Sequence, residues 1–436
     1  MASRQLSGLD VAFLCLEGET TPMHMGAVAI FHPHHAVDRS RIAELLADRA
    51  ARVPRLRQRI TPALFGLGGA SWTDDPLFDP SEHVHTHRLG EFYDEDPLAT
   101  YAAEWIEQPL DLRRPPWALH VVSGLPDGKL ALLLKLHHSF TDGAGAFAVA
   151  AGLLDELPFA RTLLTGSTER PPRLRSPLSM VKDAISEAGE NANIASSILR
   201  ATRPYPVSPL AAPKSSSRRV SFARLDLAEI KKVRVAHGGT SNDVILAVLA
   251  GALRQWMLNR GQRVAGRPLR ALVPVSMRAR ETGTAANQLS GYLCELPVHI
   301  EDPVERLREI RHSMNRNKAA GPLTGAGALP VLADRIPSPL HKVATKSAGQ
   351  VAGLLFDTVI TNVPLPKLSL TLDGSPLREI YPLVPLAPRH AVGIAATTFH
   401  NAVHIGLQTN GAAVPDTGAL RDAVLKSAAA LYERAM

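Results

Sequence analysis

The sequence predicts an α/β fold in two halves joined by a connector. Three observations lead there. Apolar runs of strand length alternate along the chain with stretches whose apolar residues recur three and four apart, the mark of amphipathic helices. The 436 residues exceed the roughly 250–300 that one hydrophobic core fills, so two cores are expected. Residues 166–218 are rich in proline, serine and arginine at both ends, as a long surface connection carrying one or two helices would be. The halves are therefore placed at 1–165 and 219–436.

In chain order, AVAIF (27–31) reads as a strand and RSRIAELLADRAARV (39–53) as an amphipathic helix. ATYAAEWIEQPL (99–110) reads as a helix stopped by the proline-rich RRPP at 113–116, since proline cannot continue it. WALHVVSGL (117–125) and KLALLLKLHH (129–138) read as paired strands joined by a turn at Pro126, Asp127 and Gly128. AGAFAVAAGLLDEL (144–157) follows as a buried helix. In the second half, the strand RVSFARLDL (219–227) leads into the helix LAEIKKVRVAHG (227–238). SNDVILAVLAGALRQWMLNRG (241–261) reads as a long helix capped by Ser241 or Asn242, with Gly261 past its end. Further strands are expected at 269–278, 358–364, 391–399 and 402–410, and a closing helix at 419–435.

Composition narrows the function classes. With 45% apolar and 20% charged residues, the chain is neither disordered nor fibrous. A formal charge of +7 suits phosphate-bearing substrates such as coenzyme A, or an anionic lipid surface. Nucleic acid is not indicated, because no zinc-ligand spacing and no basic run interleaved with aromatics occurs. Cys15 and Cys294 are the only cysteines, too few for a disulfide framework, which points to a reducing cytosol. Neither lies beside a histidine or a second cysteine, so no zinc or redox site is expected. The N-terminal stretch before Glu17 lacks the apolar core of a signal peptide. No segment approaches the roughly 18 apolar residues of a spanning helix, so contact with a membrane would be peripheral.

The sharpest chemical feature is HHSFTDG (137–143), at the end of an apolar strand. Adjacent histidines on a strand point to opposite faces, so one of His137 and His138 can face a given cavity. Asp142 lies past a turn, where Gly143 permits angles that other residues resist. A histidine titrating near neutrality can take a proton from an alcohol attacking a carbonyl. The competing readings are metal ligands and satisfied structural histidines; opposed faces chelate one metal poorly.

HHSFTDG matches the HHxxxDG signature of the coenzyme A-dependent acyltransferases, and the chain resembles one branch of them over nearly its whole length. That branch is the bacterial bifunctional wax ester synthase/acyl-CoA:diacylglycerol acyltransferases. The similarity is carried in order by LSGLDVAFLCLEGETTPMHMGAVAIF (6–31), PRLRQRI, the W…FD…HV stretch at 72–84, and PLDLRRPPWALHVVSGLPDGKLALLLKLHH. SNDVILAVLAGALRQW, VPVSMR, NQLSGYLCELP and ITNVPLP continue it.

The resemblance implies two chloramphenicol-acetyltransferase-like domains with mixed sheets flanked by helices, and an active site in a tunnel at their interface. It implies that His138 is the general base, that His137 supports the local structure, and that Asp142 pairs with Arg278 to orient the loop. Gly143 would leave room for the thioester. Asn242 and Asp243 match an Asn-Asp motif at a helix start, where the Asn242 amide either caps the helix or donates to an oxyanion. Ser276 is a second candidate donor. Pro116 and Trp117 match the end of a Pro-Leu-Trp motif, with Pro116 in the leucine position; for Trp117 simple core packing is the competing reading. Met23, His24 and Gly26 lie in a family marker, His24 being either a tunnel residue or a buried structural histidine. Thr361 and Asn362 would line the cleft beside the acyl chain. The chain departs from the family pattern in ITNVPLP, which lacks a glycine after its first proline, and across 384–401, so the acceptor side is expected to be altered.

The expected activity is direct transfer from acyl-CoA, a substrate rather than a bound cofactor, to a hydroxyl of diacylglycerol or a long-chain alcohol. No metal is implied, and no GxSxG elbow for an acyl-serine route is present. The same chemistry on a sugar, polyketide or amine acceptor is the alternative. A reading of another class is an inactive lipid-surface or lipid-droplet binder. Localisation would be cytoplasmic, peripheral to the inner membrane or to droplets.

Overall fold

The alternation in the sequence becomes two six-stranded mixed sheets in a computed structural model of the chain, which describes residues 4–62, 70–90, 96–141, 143–155, 208–264, 266, 268–276, 289–320, 355–366 and 368–435. The first sheet runs β12 (Thr371–Leu372), β13 (Ser375–Leu383), β2 (His24–Phe31), β7 (Leu130–His137), β6 (Trp117–Ser123) and β5 (Val84–Arg88). Only β5 and β6 are parallel in it. The second runs β10 (Leu289–Leu296), β9 (Leu269–Ser276), β11 (Thr358–Asn362), β14 (Val392–Phe399), β15 (Ala402–Asn410) and β8 (Arg218–Asp226), with β11 parallel to both neighbours. A small sheet of β1 (Arg4–Gln5), β4 (Ala70–Asp74) and β3 (Gln58–Pro62) flanks the first.

All eight residues of β7 are buried, because β2 and β6 cover its edges and helices its faces; hence its nearly unbroken apolar run. Around this sheet lie α1 (Gly8–Leu16), α2 (Arg39–Ala51), α3 (Pro97–Glu107) and α4 (Gly143–Ala151). Close approach of α3 requires Gly26: a Cβ there would stand 3.0 Å from Ile106 and 3.2 Å from Trp105. The end of α3 is held by one amine of the sheet: Lys135 Nζ donates to the carbonyls of Trp105 (2.6 Å) and Gln108 (2.7 Å).

The second core centres on α6 (Ser241–Asn259), whose buried residues run from Asp243 to Met257, surrounded by α5 (Leu227–His237), α7 (Pro303–Ala320) and α8 (Thr417–Glu433). Its N-cap is Thr240, not Ser241 or Asn242. Thr240 Oγ1 accepts from the Asp243 amide (3.2 Å) and the Asp243 carboxylate accepts from the Thr240 amide (2.7 Å). The reciprocal capping box satisfies two orphan donors with one residue pair, so the start of the helix is set one residue earlier than Ser241 would set it.

Strands β12 and β13, from the C-terminal part of the sequence, complete the N-terminal sheet: β13 pairs antiparallel with β2. It also packs across the second sheet at Gly406, where a Cβ would fall 1.9 Å from the Pro382 carbonyl oxygen. Arg218 ties the same junction, donating from its backbone to Glu107 Oε1 (2.5 Å) and from its guanidinium to the Thr20 carbonyl (3.0 Å). Among the described residues, no helix is long and apolar enough to cross a membrane.

Candidate active site

The end of β7 delivers the two histidines to different environments. The His137 backbone amide donates to the Pro116 carbonyl (3.0 Å), and the next amide, of His138, donates to the Met23 carbonyl (2.7 Å). Pleating turns the two rings apart. His137 is 1% exposed. Its Nδ1 accepts from the Ser139 amide (3.1 Å) and lies 2.7 Å from the Ser139 hydroxyl, which leaves the ring proton on Nε2, 3.3 Å from Glu17 Oε2. Glu17 Oε2 also accepts from the Met23 amide, so one carboxylate ties the end of α1 to the start of β2 and lies beside His137.

His138 is half-buried and stacks on Phe13 of α1, with ring centroids 4.0 Å apart and planes inclined at 25°. Burial pushes its pKa down to about 4, with His137 adding to the shift, so the imidazole is neutral at pH 7. A neutral imidazole can accept a proton, which is what a base acting on an alcohol must do.

The loop beyond is fixed from below. The Phe140 amide donates to the His137 carbonyl (2.8 Å), and the Phe140 carbonyl accepts from Arg55 Nη2 (2.6 Å). The Arg55 guanidinium lies 3.8 Å from the Trp72 ring centroid and 4.5 Å from that of Phe140. Burial lowers its pKa to about 9, which still leaves it cationic at pH 7. Gly143 opens α4, while Asp142 and Arg278 lie outside the described residues, as does the side chain of Ser276 at the end of β9.

Trp117 packs in the core, fully buried: its indole Nε1 donates to the Leu56 carbonyl (2.8 Å) and its ring stacks on His83 at 4.5 Å. Pro116, also buried, serves through its carbonyl as the seat of the His137 amide. His24 is 2% exposed, donates from Nε2 to the Ile106 carbonyl (2.5 Å), and is pushed by burial and by Lys135 down to about 3. It faces His137 in the β2–β7 register, buried on the α3 side.

In the second half the structure brings Asn242 and Asn362 together: Asn362 Nδ2 donates to Asn242 Oδ1 (3.1 Å). Freed of capping by Thr240, the Asn242 amide keeps its own N–H groups without a hydrogen bond among the described residues. Thr361 precedes Asn362 on β11, half-buried. Phe13, Glu17, Arg55 and Ser139 are the supporting residues that sequence reasoning did not single out. Arg55 lies within the PRLRQRI stretch already noted, and Ser139 within HHSFTDG itself.

Comparison with known proteins follows the same lines. Residues 6–245 match the wax ester synthase/diacylglycerol acyltransferase catalytic domain, and residues 285–431 match the WS/DGAT C-terminal domain. A protein of Mycobacterium tuberculosis named probable diacylglycerol O-acyltransferase is 32% identical over 434 residues, covering 95% of this chain and 93% of its own length. A second M. tuberculosis protein of that name is 32% identical over 424 residues, covering 91% and 92%. The solved wax ester synthase/diacylglycerol acyltransferase from Marinobacter aquaeolei VT8 superposes with a TM-score of 0.72 at 25% identity, covering 99% of each chain. The starter condensation domain of rhizomide synthetase, at 14% identity and a TM-score of 0.60 over 98% of this chain and 94% of its own, shares the fold.

Proposed function

Because the chain belongs to the wax ester synthase/diacylglycerol acyltransferase family, and is thus an acyltransferase, we propose that it carries an acyl group from acyl-CoA to a lipid hydroxyl with His138 as general base. The acceptor is diacylglycerol, giving triacylglycerol, or a long-chain alcohol, giving a wax ester. The observation that carries this reading is His138 itself: a neutral imidazole at a strand end, its backbone held by Met23, its ring stacked on Phe13 and the following loop pinned by Arg55. Fixing a base within a fraction of an ångström is how a scaffold turns an encounter into a reaction.

In the proposed step both substrates are bound together. His138 takes the hydroxyl proton as the oxygen attacks the thioester carbonyl. The tetrahedral oxyanion then collapses, the carbon–sulfur bond breaks, and the imidazolium returns its proton to the thiolate, leaving ester and free coenzyme A thiol. Asn242, whose amide N–H groups are unspent among the described residues, is the proposed oxyanion donor; loss of such a donor typically costs about 2.7–4 kcal/mol. Asp142 and Arg278 are proposed to pair and orient the loop, Gly143 to make room for the thioester, and Ser276, Thr361 and Asn362 to line the acyl path. The net basic charge and apolar substrates favour peripheral contact with an anionic lipid surface.

The test supplies labelled palmitoyl-CoA with dioleoylglycerol or hexadecanol and identifies the product. Triacylglycerol or wax ester formation is expected. A second reading, a specialised-metabolite acceptor, is favoured by Leu365, which follows the first proline of ITNVPLP and packs against the N-terminal core. Ester formation with neither lipid but with a polyketide, sugar or amine acceptor would put that reading in place of the first.

A further inference from the structure

The described residues hold a second constellation, remote from His138. Where the ends of β2 and β13 meet the β14–β15 turn, a cavity of about 400 Å³ is lined by, among others, His32, Arg224, Arg378, Glu379, His400 and His404. Phe31 pairs with Leu130, at the opposite end of β7 from His137, so seven residues of strand, about 23 Å, separate this cavity from the candidate base.

His404 forms its inner wall. It is 1% exposed, lies edge-on to Tyr381 (5.2 Å, 88°), and neither of its ring nitrogens has a hydrogen-bond partner among the described residues. A buried imidazole with both nitrogens unmet is rare, because every neutral imidazole carries one donor and one acceptor. Around the rim, the exposed guanidiniums of Arg224 and Arg378 make no hydrogen bond or ion pair among the described residues. The single carboxylate is otherwise engaged: Glu379 Oε2 accepts from the Tyr381 hydroxyl (2.5 Å), and Oε1 lies 3.9 Å from His32 Nε2. Lys129, which also acts on His32, is paired with Asp127 at 3.2 Å. Two unspent guanidiniums and a buried unspent ring N–H therefore converge on one space with one occupied carboxylate.

We propose that this cavity binds a phosphate group, held by Arg224 and Arg378 from the rim and by the ring N–H of His404 from within. Guanidinium forks match phosphate geometry, and a neutral imidazole supplies the third donor without needing to titrate. The site is separate from the chemistry at His138 and is independent of the acceptor assigned there. Its phosphate comes either from a small solute or from a phosphomonoester lipid headgroup.

The full-length chain is titrated calorimetrically with inorganic phosphate and with pyrophosphate, and floated with vesicles of phosphatidylcholine alone or doped with phosphatidic acid. Arg224→Gln and Arg378→Gln, both exposed substitutions, are compared with wild type in each assay. Saturable binding that each substitution weakens about tenfold or more, the scale of one lost charge-assisted hydrogen bond, supports the site. If this occurs with the soluble anions, the source is a solute; if it occurs only with phosphatidic acid vesicles, the source is a headgroup. No binding to either probe, or binding that both substitutions leave unchanged, overturns the proposal.

Discussion

Removing the Phe13 ring tests the physical reason His138 is held neutral. Phe13 stacks on the imidazole at 4.0 Å, and burial is the main cause of the depressed pKa of about 4. Phe13→Ala opens that face to water, stabilises the charged form and moves the pKa toward its ordinary value of 6.5. The sign follows directly: the active form is the neutral one, so activity is lost as pH falls through the pKa. At pH 5.5 a group titrating near 4 is about 97% neutral, whereas one titrating near 6.5 is about 9% neutral. Wild-type kcat/KM should therefore be nearly flat between about pH 5.5 and 7. In Phe13→Ala it should fall across that interval, approaching about tenfold as the pKa approaches 6.5. Phe13→Leu, which keeps apolar cover, should resemble wild type. The assay is initial-rate thiol release at subsaturating acyl-CoA over the pH range, with circular dichroism confirming that each variant stays folded. A wild-type profile that drops tenfold by pH 5.5, or a Phe13→Ala profile that overlays the wild type, would refute the reasoning.

Gly406→Ala should destabilise the junction of the two sheets by about 1–3 kcal/mol or more, because its Cβ meets a backbone carbonyl at 1.9 Å that no rotamer change can move. A urea midpoint equal to wild type would remove β13 from that position. Acid should weaken the fold through His24 and His404, whose folded pKa values are about 3 and about 4 against 6.5 for the free group. Between those limits the unfolded chain takes up protons that the folded chain refuses. Stability should then decline by roughly 1.4 kcal/mol per pH unit for each histidine as pH falls below 6.5. Urea unfolding at about pH 6.5 and about pH 5 reads this slope, and His24→Gln should make it shallower. An unchanged slope in that variant would count against the buried role of His24.

The core of the fold was legible where local pattern and burial coincide. β7 shows its burial as an apolar run broken before its end only by Lys135, and α6 as an apolar helix with buried residues on every side. Strand β13 was not, because SPLREIYPL is mixed in character and its pairing with β2 joins residues more than three hundred positions apart. α7 shows only a thin stripe, Leu307, Ile310 and Met314, buried at helical spacing within a mostly charged and polar segment. α1 is only nine residues long, and its one local signal is the Ser7–Asp10 capping box. At the candidate site, the sequence pattern and the resemblance give His137 and His138 opposite faces and different roles, but not the contacts that set them apart. That distinction comes from Glu17, Ser139 and Phe13, which tertiary packing brings to the two rings. The cap of α6 shows the same limit at a smaller scale. A run of polar residues offered several caps, and the reciprocal bond with Asp243 chose Thr240, leaving Asn242 to meet Asn362.

The most direct test of the central claim is thiol release from palmitoyl-CoA by purified wild type and His138→Ala, with and without dioleoylglycerol or hexadecanol. Base catalysis is worth on the order of 10²–10⁴-fold, so the substitution should remove acceptor-dependent release by about that factor while acyl-CoA binding persists. Turnover in His138→Ala close to the wild-type value would contradict the assignment of His138 as the base.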